Sequence, residues 1–183
     1  TLAFSAMQNN DKIGVIFFSD RIEKYIPPQK GRKHILYIIR EMLDFHPQSK
    51  KTDVGMAVAY LTRVIKRRCT AFLLSDFYDR KDMLQELEIA NRKHDIMAIQ
   101  VYDKRAKALP DIGLMKVRDA ESGHEMYIDT SSSRLRTAHT RYWLDRQAVL
   151  GETFAKSNVD WMSVATDEDY VRSMMALFAK RNR

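Results

Sequence analysis

The sequence predicts an α/β fold built on a mostly parallel sheet, and three observations support this. Short apolar runs bounded by polar residues occur at Ile13–Phe18, Ala71–Leu74 and Asp95–Val101, a pattern typical of strands buried on both faces. Helical patterns separate these runs, and alternation of strands and helices favours parallel pairing through helical crossovers. The 183 residues, 45% hydrophobic and 30% charged, suit one soluble globular domain.

The first half of the chain begins with a short helical stripe that ends at Asn9-Asn10-Asp11. The strand Ile13–Phe18 follows, and Ile22–Ile26 alternates like a short edge strand. Pro27-Pro28 should end that strand, because proline has no N–H for the ladder. Two helices come next, and their apolar stripes are Ile35, Ile38, Ile39 and Met42 in the first and Val54, Ala57, Val58, Leu61 and Ile65 in the second.

The second half opens with the strand Cys69–Ser75, which we expect to be a central parallel strand. Asp79 is the expected N-cap of the next helix, and the strand Asp95–Val101 follows. Leu114–Arg118 and Glu125–Ile128 then predict an inserted β-hairpin at about 110–130. A long helix follows, capped by Ser131-Ser132-Ser133, with an apolar stripe of Leu135, Ala138, Tyr142, Val149 and Phe154. The strand Val159–Ala165 comes next, and a last helix has the stripe Val171, Met174, Met175 and Phe178.

Charge and cysteine content restrict the possible partners and compartments. The net charge of +7 permits an acidic partner, nucleic acid or a membrane surface. Many of the cations fall at helix ends, where they complement the macrodipole. The single cysteine, Cys69, excludes an intramolecular disulfide and suits a reducing compartment, so we expect a cytoplasmic protein.

The N-terminal segment carries no signal-peptide pattern, and no apolar run approaches the ~20 residues of a membrane span. The first residue is Thr1, and the chain opens inside an amphipathic pattern. We therefore expect an N-terminally incomplete fragment of a longer protein.

Several common active-site motifs are absent from the sequence. There is no GxGxxG stretch after a strand, no GxxxxGK[ST] loop and no GxSxG elbow, which disfavours ordinary dinucleotide sites, P-loops and α/β-hydrolase chemistry. The five histidines are scattered without ligand spacing, and no second thiol is available for zinc. We assign no catalytic and no cofactor-binding residue.

One pair of residues remains a candidate site. Thr52 comes directly before a helix, and Asp76 follows a strand one helix later. If both loops lie at the carboxyl edge of the sheet, a hydroxyl and a carboxylate meet there, which are oxygen ligands of the kind that Mg²⁺ takes. By spacing alone, the favoured explanation of Thr52 is a helix N-cap, and that of Asp76 is the start of a turn.

Longer segments resemble a known family. KTDVGMAVAYL (Lys51–Leu61), with LLSDF (Leu73–Phe77) after it, resembles the von Willebrand factor A-like domains. IGVIFFSD, PPQKGRKHILYIIREML and the acidic hairpin RDAESGHE resemble a bacterial subfamily of domain-of-unknown-function proteins, often encoded beside MoxR-type AAA+ ATPases. The resemblance extends from Thr1 to about Ala165. It implies a Rossmann-like three-layer α/β/α fold, with residues 1–183 as one domain.

The resemblance also implies a metal-ion-dependent adhesion site built from three loops. Thr52 matches the threonine of the second loop and Asp76 the aspartate of the third, with Ser75 and Asp53 in supporting positions. The DxSxS motif of the first loop has no match in this sequence. We therefore expect Mg²⁺ in the complete domain and no tightly bound metal in this chain.

The family's strand order implies a further consequence. A strand that precedes Thr1 belongs in the centre of the sheet, between Ile13–Phe18 and Cys69–Ser75. Without it, the facing edges of these two strands are either unpaired or paired differently in an altered sheet, and exposed edges invite pairing with another chain. An edge-mediated oligomer is one expected result.

These features favour a non-enzymatic protein–protein interaction domain whose implied partner is a MoxR-like AAA+ ATPase. One alternative is a Mg²⁺-dependent hydrolase or phosphotransferase that uses Asp76 and Asp79. Another is a nucleic-acid-binding module that uses Lys50-Lys51 and the basic cluster of 63–68. No aromatic residues are interleaved with those cations, so nucleic acid is the less favoured partner.

Overall fold

The computed structural model describes residues 2–79, 81–119 and 122–181. It confirms a mixed α/β fold. The helices are α1 Leu2–Gln8, α2 Arg32–Asp44, α3 Val54–Val64, α4 Leu84–Lys93, α5 Lys104–Lys107, α6 Ser133–Lys156 and α7 Tyr170–Arg181. The strands are β1 Ile13–Phe18, β2 Ile22–Gln29, β3 Thr70–Ser75, β4 Asp95–Tyr102, β5 Leu114–Arg118, β6 Glu125–Asp129 and β7 Asp160–Ala165.

The strands of the described chain form three separate sheets rather than one mostly parallel sheet. β3, β4 and β7 make a parallel sheet in the order β3-β4-β7, whereas β1–β2 and β5–β6 are antiparallel pairs. The parallel register aligns Thr70 with Asp95 and Met97 with Asp160. The prediction of parallel pairing therefore holds for β3, β4 and β7 and is wrong for β1. The β-hairpin β5–β6 is confirmed, and residues 120–121 of its predicted turn lie outside the described residues.

Helices cover both faces of the parallel sheet, as the apolar strands predict. On one face, Ile96 and Ala98 of β4 join a core with residues of α3, α4 and α6, among them Val54, Leu87 and Phe154. Those three side chains are completely buried. The opposite face packs against α7, where the rings of Phe72 and Phe178 meet edge to face with centroids 6.1 Å apart.

β3 lies at the edge of the parallel sheet, so it is not central among the described strands, although this agrees with the free edge that was expected for Cys69–Ser75. Among the described residues its only strand partner is β4. Leu74 is 53% exposed, although it belongs to the apolar run that suggested burial. β1 and β3 belong to different sheets and do not pair with each other. What fills the edge of β3 stays a prediction.

β2 continues through Pro27-Pro28 to Gln29, so the predicted end of the strand at Ile26 is wrong. The opposing residue is Gly14, beside a register shift between Ile13 and Val15. A Cβ atom at Gly14 would lie 2.8 Å from the Ile26 carbonyl oxygen and 2.9 Å from the Pro28 nitrogen. Because Gly14 has no side chain, the backbone of β2 can lie this close to β1. β2 can then continue through Pro27-Pro28, which are tolerated at a sheet edge.

Parts of the predicted apolar stripes are exposed. Met42, Val149 and Met175 are more than half exposed, although each belongs to a stripe that the periodicity predicts to be buried. Helical spacing shows which residues share one face, but how much of that face is buried depends on which other elements pack against it. The short helix α5 was not predicted from the sequence.

Candidate functional site at the carboxyl edge of the parallel sheet

The loop between β3 and α4, which we call loop 76–83 and which is described except for residue 80, begins at the carboxyl edge of the parallel sheet. Its start is fixed by Gln100, a buried side chain of β4. The Gln100 side-chain nitrogen donates to the carbonyl of Asp76 at 3.2 Å, and its oxygen accepts from the Ser163 hydroxyl of β7 at 2.9 Å. Side chains of β4 and β7 therefore position the residue that follows β3.

The turn after β3 uses two of the predicted site residues, Ser75 and Asp76, as hydrogen-bond acceptors. The Ser75 hydroxyl accepts from the N–H of Phe77 at 3.0 Å, and Asp76 Oδ1 accepts from the N–H of Tyr78 at 3.0 Å. Phe77 has a left-handed backbone with φ of 56°, a conformation that non-glycine residues adopt only where the surroundings enforce it. Here its ring is buried edge to face against Phe154, with centroids 5.3 Å apart.

The N-cap of α3 is Asp53 and not Thr52. Asp53 Oδ1 accepts from the N–H of Met56 at 2.8 Å, the usual cap geometry,. Its other oxygen, Oδ2, forms an ion pair with the ammonium of Lys81, which lies in loop 76–83. Burial alone would raise the pKa of Asp53, but the hydrogen bonds from Lys81 and from the Met56 N–H outweigh it and hold that pKa below its usual value.

Asp79 also serves α3, so its predicted role as the N-cap of α4 is wrong. Asp79 Oδ2 accepts from the N–H of Val54, the first residue of α3, at 2.8 Å. Its Oδ1 accepts from the N–H of Lys81 at 2.9 Å. At the start of α4, Asp82 Oδ1 instead accepts from the N–H of Leu84 at 3.0 Å. Loop 76–83 thus supplies a hydrogen-bond acceptor to the N-terminus of α3.

The loops that carry Thr52 and Asp76 are in contact, but through other residues. Among the described residues, the bonds that join them are made by Asp53, Asp79 and Lys81. Thr52 is partly exposed beside the N-cap. Sequence reasoning missed Lys81 because the residue it pairs with lies 28 positions away, and no local pattern records such a contact.

The implied Mg²⁺ can be tested against the donors that are present. Within 2–79, 81–119 and 122–181, no group of three or more histidine, cysteine or acidic side chains is placed to hold a metal ion. The carboxylates of Asp53 and Asp79 are engaged by backbone N–H groups, and Asp53 also by an ammonium. A divalent cation needs several free oxygen ligands, so the arrangement of these residues does not fit one.

An open cleft of about 480 Å³ lies between loop 76–83 and α6. Its lining combines aromatic and charged side chains, among them Tyr78, Tyr142, Trp143, Asp145 and Arg146. The guanidinium of Arg146 donates to the carbonyl of Phe77 at 2.9 Å and lies 4.7 Å from the centre of the Tyr78 ring. Arg146 therefore ties the loop to α6 and forms part of the cleft wall.

Cys69 and His94 form a separate contact at the opposite, amino edge of the sheet. The Cys69 sulfur lies 3.4 Å from Nδ1 of His94. Burial raises the pKa of the Cys69 thiol, and burial lowers the pKa of His94. Both shifts favour the neutral forms, whereas a nucleophilic cysteine needs a lowered pKa.

The chain resembles proteins from mycobacteria along its whole length. An uncharacterized protein of Mycobacterium bovis and one of Mycobacterium tuberculosis are each 26% identical over 186 aligned residues, which cover 100% of this chain. The chain spans only 58% of the length of these curated relatives. An uncharacterized protein of Mycobacterium avium is 26% identical over 162 residues, with 86% of this chain and 94% of that protein covered.

Two solved structures share the fold at low sequence identity. An aerotolerance-related membrane protein from Bacteroides fragilis has a TM-score of 0.60 at 14% identity, covering 99% of this chain and 85% of that one. The conserved hypothetical protein BatB from Bacteroides thetaiotaomicron has a TM-score of 0.53 at 14% identity, covering 98% and 84%. In the described part of this chain, no helix is both long and apolar enough to cross a membrane.

The family assignment rests on most of the chain. Residues 1–149 match the family described as "Protein of unknown function DUF58". The match includes α1 to β6 and the whole of loop 76–83. This chain therefore belongs to the DUF58 family.

Proposed function

We propose that this chain is a non-enzymatic protein–protein interaction domain that binds its partner in the cleft between loop 76–83 and α6. The cleft of about 480 Å³ is the observation that carries the proposal. It lies beyond the carboxyl ends of parallel strands, where open α/β sheets bind ligands. Tyrosine, tryptophan and arginine side chains line it, and these residues are enriched where protein interfaces have their strongest contacts.

The side chains that hold the cleft wall in place suit a binding surface. Gln100 and Arg146 hold the backbone of loop 76–83 from two sides, so a partner meets a pre-organised surface and less ordering entropy is lost on binding. The carboxylates of the enzymatic alternative, Asp76 and Asp79, already accept hydrogen bonds from the backbone. Both roles are structural, which favours binding over acid–base or metal-assisted chemistry.

The resemblance to von Willebrand factor A-like domains supports a finer version of the proposal. It points to a MoxR-type AAA+ ATPase as the partner, and the single cysteine suits a location in the cytoplasm. The resemblance also points to a partial metal-ion-dependent adhesion site, in which Thr52 and Asp76 would contact Mg²⁺ in the complete domain. Because the arrangement of this chain's residues does not fit the ion, the proposed binding passes through no metal.

The test measures binding of the chain to a MoxR-type AAA+ ATPase from the same organism, by titration calorimetry. Tyr142 is 55% exposed in the cleft wall, so Tyr142→Ala should weaken binding at least about tenfold, a loss typical of an interface anchor. Tyr127→Ala is the matched control, since Tyr127 is a 67% exposed tyrosine on the distant strand β6.

Two results would contradict the proposal. One is an equal loss of affinity in Tyr127→Ala, which would place the contact elsewhere on the surface. The other is retained affinity in both variants. If this ATPase does not bind the unmodified chain at all, the partner assignment fails and is replaced by screening the proteins encoded in the same gene cluster with the same pair of variants.

A further inference from the structure

Trp143 of α6 carries a buried hydrogen-bond donor in the wall of the cleft. Trp143 lines the cleft and is only 8% exposed, and its indole Nε1 is buried without an acceptor among the described residues. A buried indole N–H usually has a hydrogen-bond partner, and leaving it unpaired costs free energy. A ligand that brings an acceptor oxygen, such as a peptide carbonyl, to this wall would satisfy the donor.

Both walls of the same cleft also carry exposed carboxylates. Asp76 and Asp82 belong to loop 76–83 and Asp145 to α6, and all three are exposed. Within the described chain, Asp145 makes no hydrogen bond or ion pair, and the hydrogen bonds of Asp76 and Asp82 come from backbone N–H groups. Their negative charges are therefore available to a cation that enters from outside.

The two cations among the described lining residues already have partners within the chain. Lys81 pairs with Asp53, which lies outside the cleft. Arg146 donates to the carbonyl of Phe77, and its guanidinium lies 4.7 Å from the centre of the Tyr78 ring. The cleft therefore favours a positively charged ligand, although the chain as a whole has a net charge of +7.

Aromatic rings of the cleft specify the kind of cation. The contact between Arg146 and Tyr78 already places one guanidinium over a ring in this wall. Tyr142 is 55% exposed beside it and offers a second ring. Arginine is the residue that most often lies over aromatic faces, and its planar guanidinium also pairs with carboxylates. A ring and a carboxylate in one cleft therefore suit an arginine side chain.

We propose that the cleft binds an extended, arginine-bearing segment of the partner protein. The guanidinium pairs with Asp145 beside Tyr142, and a main-chain carbonyl of the segment accepts from Nε1 of Trp143. An extended peptide carries both groups, whereas a simple cation has no acceptor for the indole. The inference rests on the proposed function, since it names the chemistry of the partner at the same cleft.

The first experiment measures binding of a fluorescent peptide of alternating serine and arginine residues to the whole chain, by anisotropy. We expect Asp145→Asn to weaken binding about fivefold, as for the loss of one exposed charge pair. Asp11→Asn is the matched control, because it removes the same charge from an exposed aspartate between α1 and β1. The control should change the affinity by less than about twofold, and a peptide of serine and glutamate should not compete.

A second experiment follows the indole N–H signals in the proton–nitrogen NMR spectrum of the isotope-labelled chain. The chain has two tryptophans, Trp143 and Trp161, and Trp161→Phe assigns their signals. The signal of Trp143 should move downfield when the serine–arginine peptide is added, because its N–H gains an acceptor, and the signal of Trp161 should not move. This measurement uses a chain in which Trp143 and the carboxylates are intact.

Two results would overturn the inference. One is equal affinity of Asp145→Asn and Asp11→Asn for the serine–arginine peptide, and the other is an unmoved Trp143 signal when that peptide is bound.

The outcome is separable from that of the proposed function. If Tyr142→Ala weakens binding of the ATPase but Asp145→Asn does not, the cleft is the binding site and the arginine assignment is wrong. If the ATPase does not bind but the peptide passes both tests, the partner assignment fails and the inference stands.

Discussion

Asp53 shows how one side chain connects helix formation with the candidate site. One oxygen caps α3 and the other pairs with Lys81. Asparagine caps helices about as well as aspartate, so Asp53→Asn removes the charge while leaving the cap in place. The variant therefore isolates the contribution of the ion pair to stability.

The ion pair of Asp53 predicts a specific dependence of stability on pH. The pKa of Asp53 is lowered in the folded chain, so its charge stabilises the fold at any pH above the ordinary aspartate value of about 3.9. That stabilisation is lost as the pH falls through the lowered pKa. Urea unfolding should therefore show Asp53→Asn less stable than the unmodified chain at neutral pH, with the difference shrinking under acid.

The matched control for Asp53→Asn is Asp129→Asn. The pKa of Asp129 is also lowered, chiefly by the hydroxyl of Ser131, but its carboxylate has no cation in contact among the described residues. A difference at Asp53 that stays constant between neutral pH and acid would show that the ion pair with Lys81 contributes nothing.

Two glycines differ in how much space a side chain would have at their positions. A Cβ atom at Gly14 of β1 would meet backbone atoms of β2 at 2.8 and 2.9 Å, whereas at Gly55 of α3 the nearest atoms belong to the flexible side chain of Glu86 at 3.4 Å. Gly14→Ala should destabilise the chain by about 1–3 kcal/mol, the usual cost of overpacking. Gly55→Ala should be neutral or stabilising by up to about 1 kcal/mol, since alanine is the better helix former.

Thermal or urea unfolding of the two glycine variants checks both signs in one experiment. Equal stability of Gly14→Ala and Gly55→Ala would show that β2 can move away from β1, and that Gly14 does not hold Pro27-Pro28 in the strand.

For the whole molecule, the free edge of β3 is the feature with the largest consequence. In the described chain β3 pairs only with β4, so a row of backbone donors and acceptors is available to a second chain. We predict concentration-dependent self-association through this edge. Leu74→Lys should reduce it, because Leu74 is 53% exposed on β3 and an edge lysine opposes strand pairing.

Analytical ultracentrifugation over a range of concentrations measures this association. Leu114→Lys is the control, since Leu114 is a 71% exposed leucine on a strand of the separate β5–β6 hairpin. A monomer at all concentrations, or the same loss of association in both variants, would contradict pairing through β3.

Local sequence patterns identified most of the elements. β1 and the start of β4 were predicted to the residue, and the long helix α6 follows the serines predicted to cap it. Such features depend on neighbours along the chain, which periodicity and capping residues record directly. The exposure of the Leu74 side chain was not predictable in this way, because it depends on which other elements cover that face of β3,.

The same distinction between local patterns and contacts between distant residues applies to the candidate site. The sequence by itself determined that Thr52 comes directly before an apolar helix and Asp76 directly after an apolar strand, because local hydrophobicity marks where these elements begin and end,. Only the tertiary structure decided that Asp79 caps α3 and that Lys81 neutralises Asp53. These contacts join residues 25 and 28 positions apart, and their existence depends on how β3 and loop 76–83 return to the start of α3.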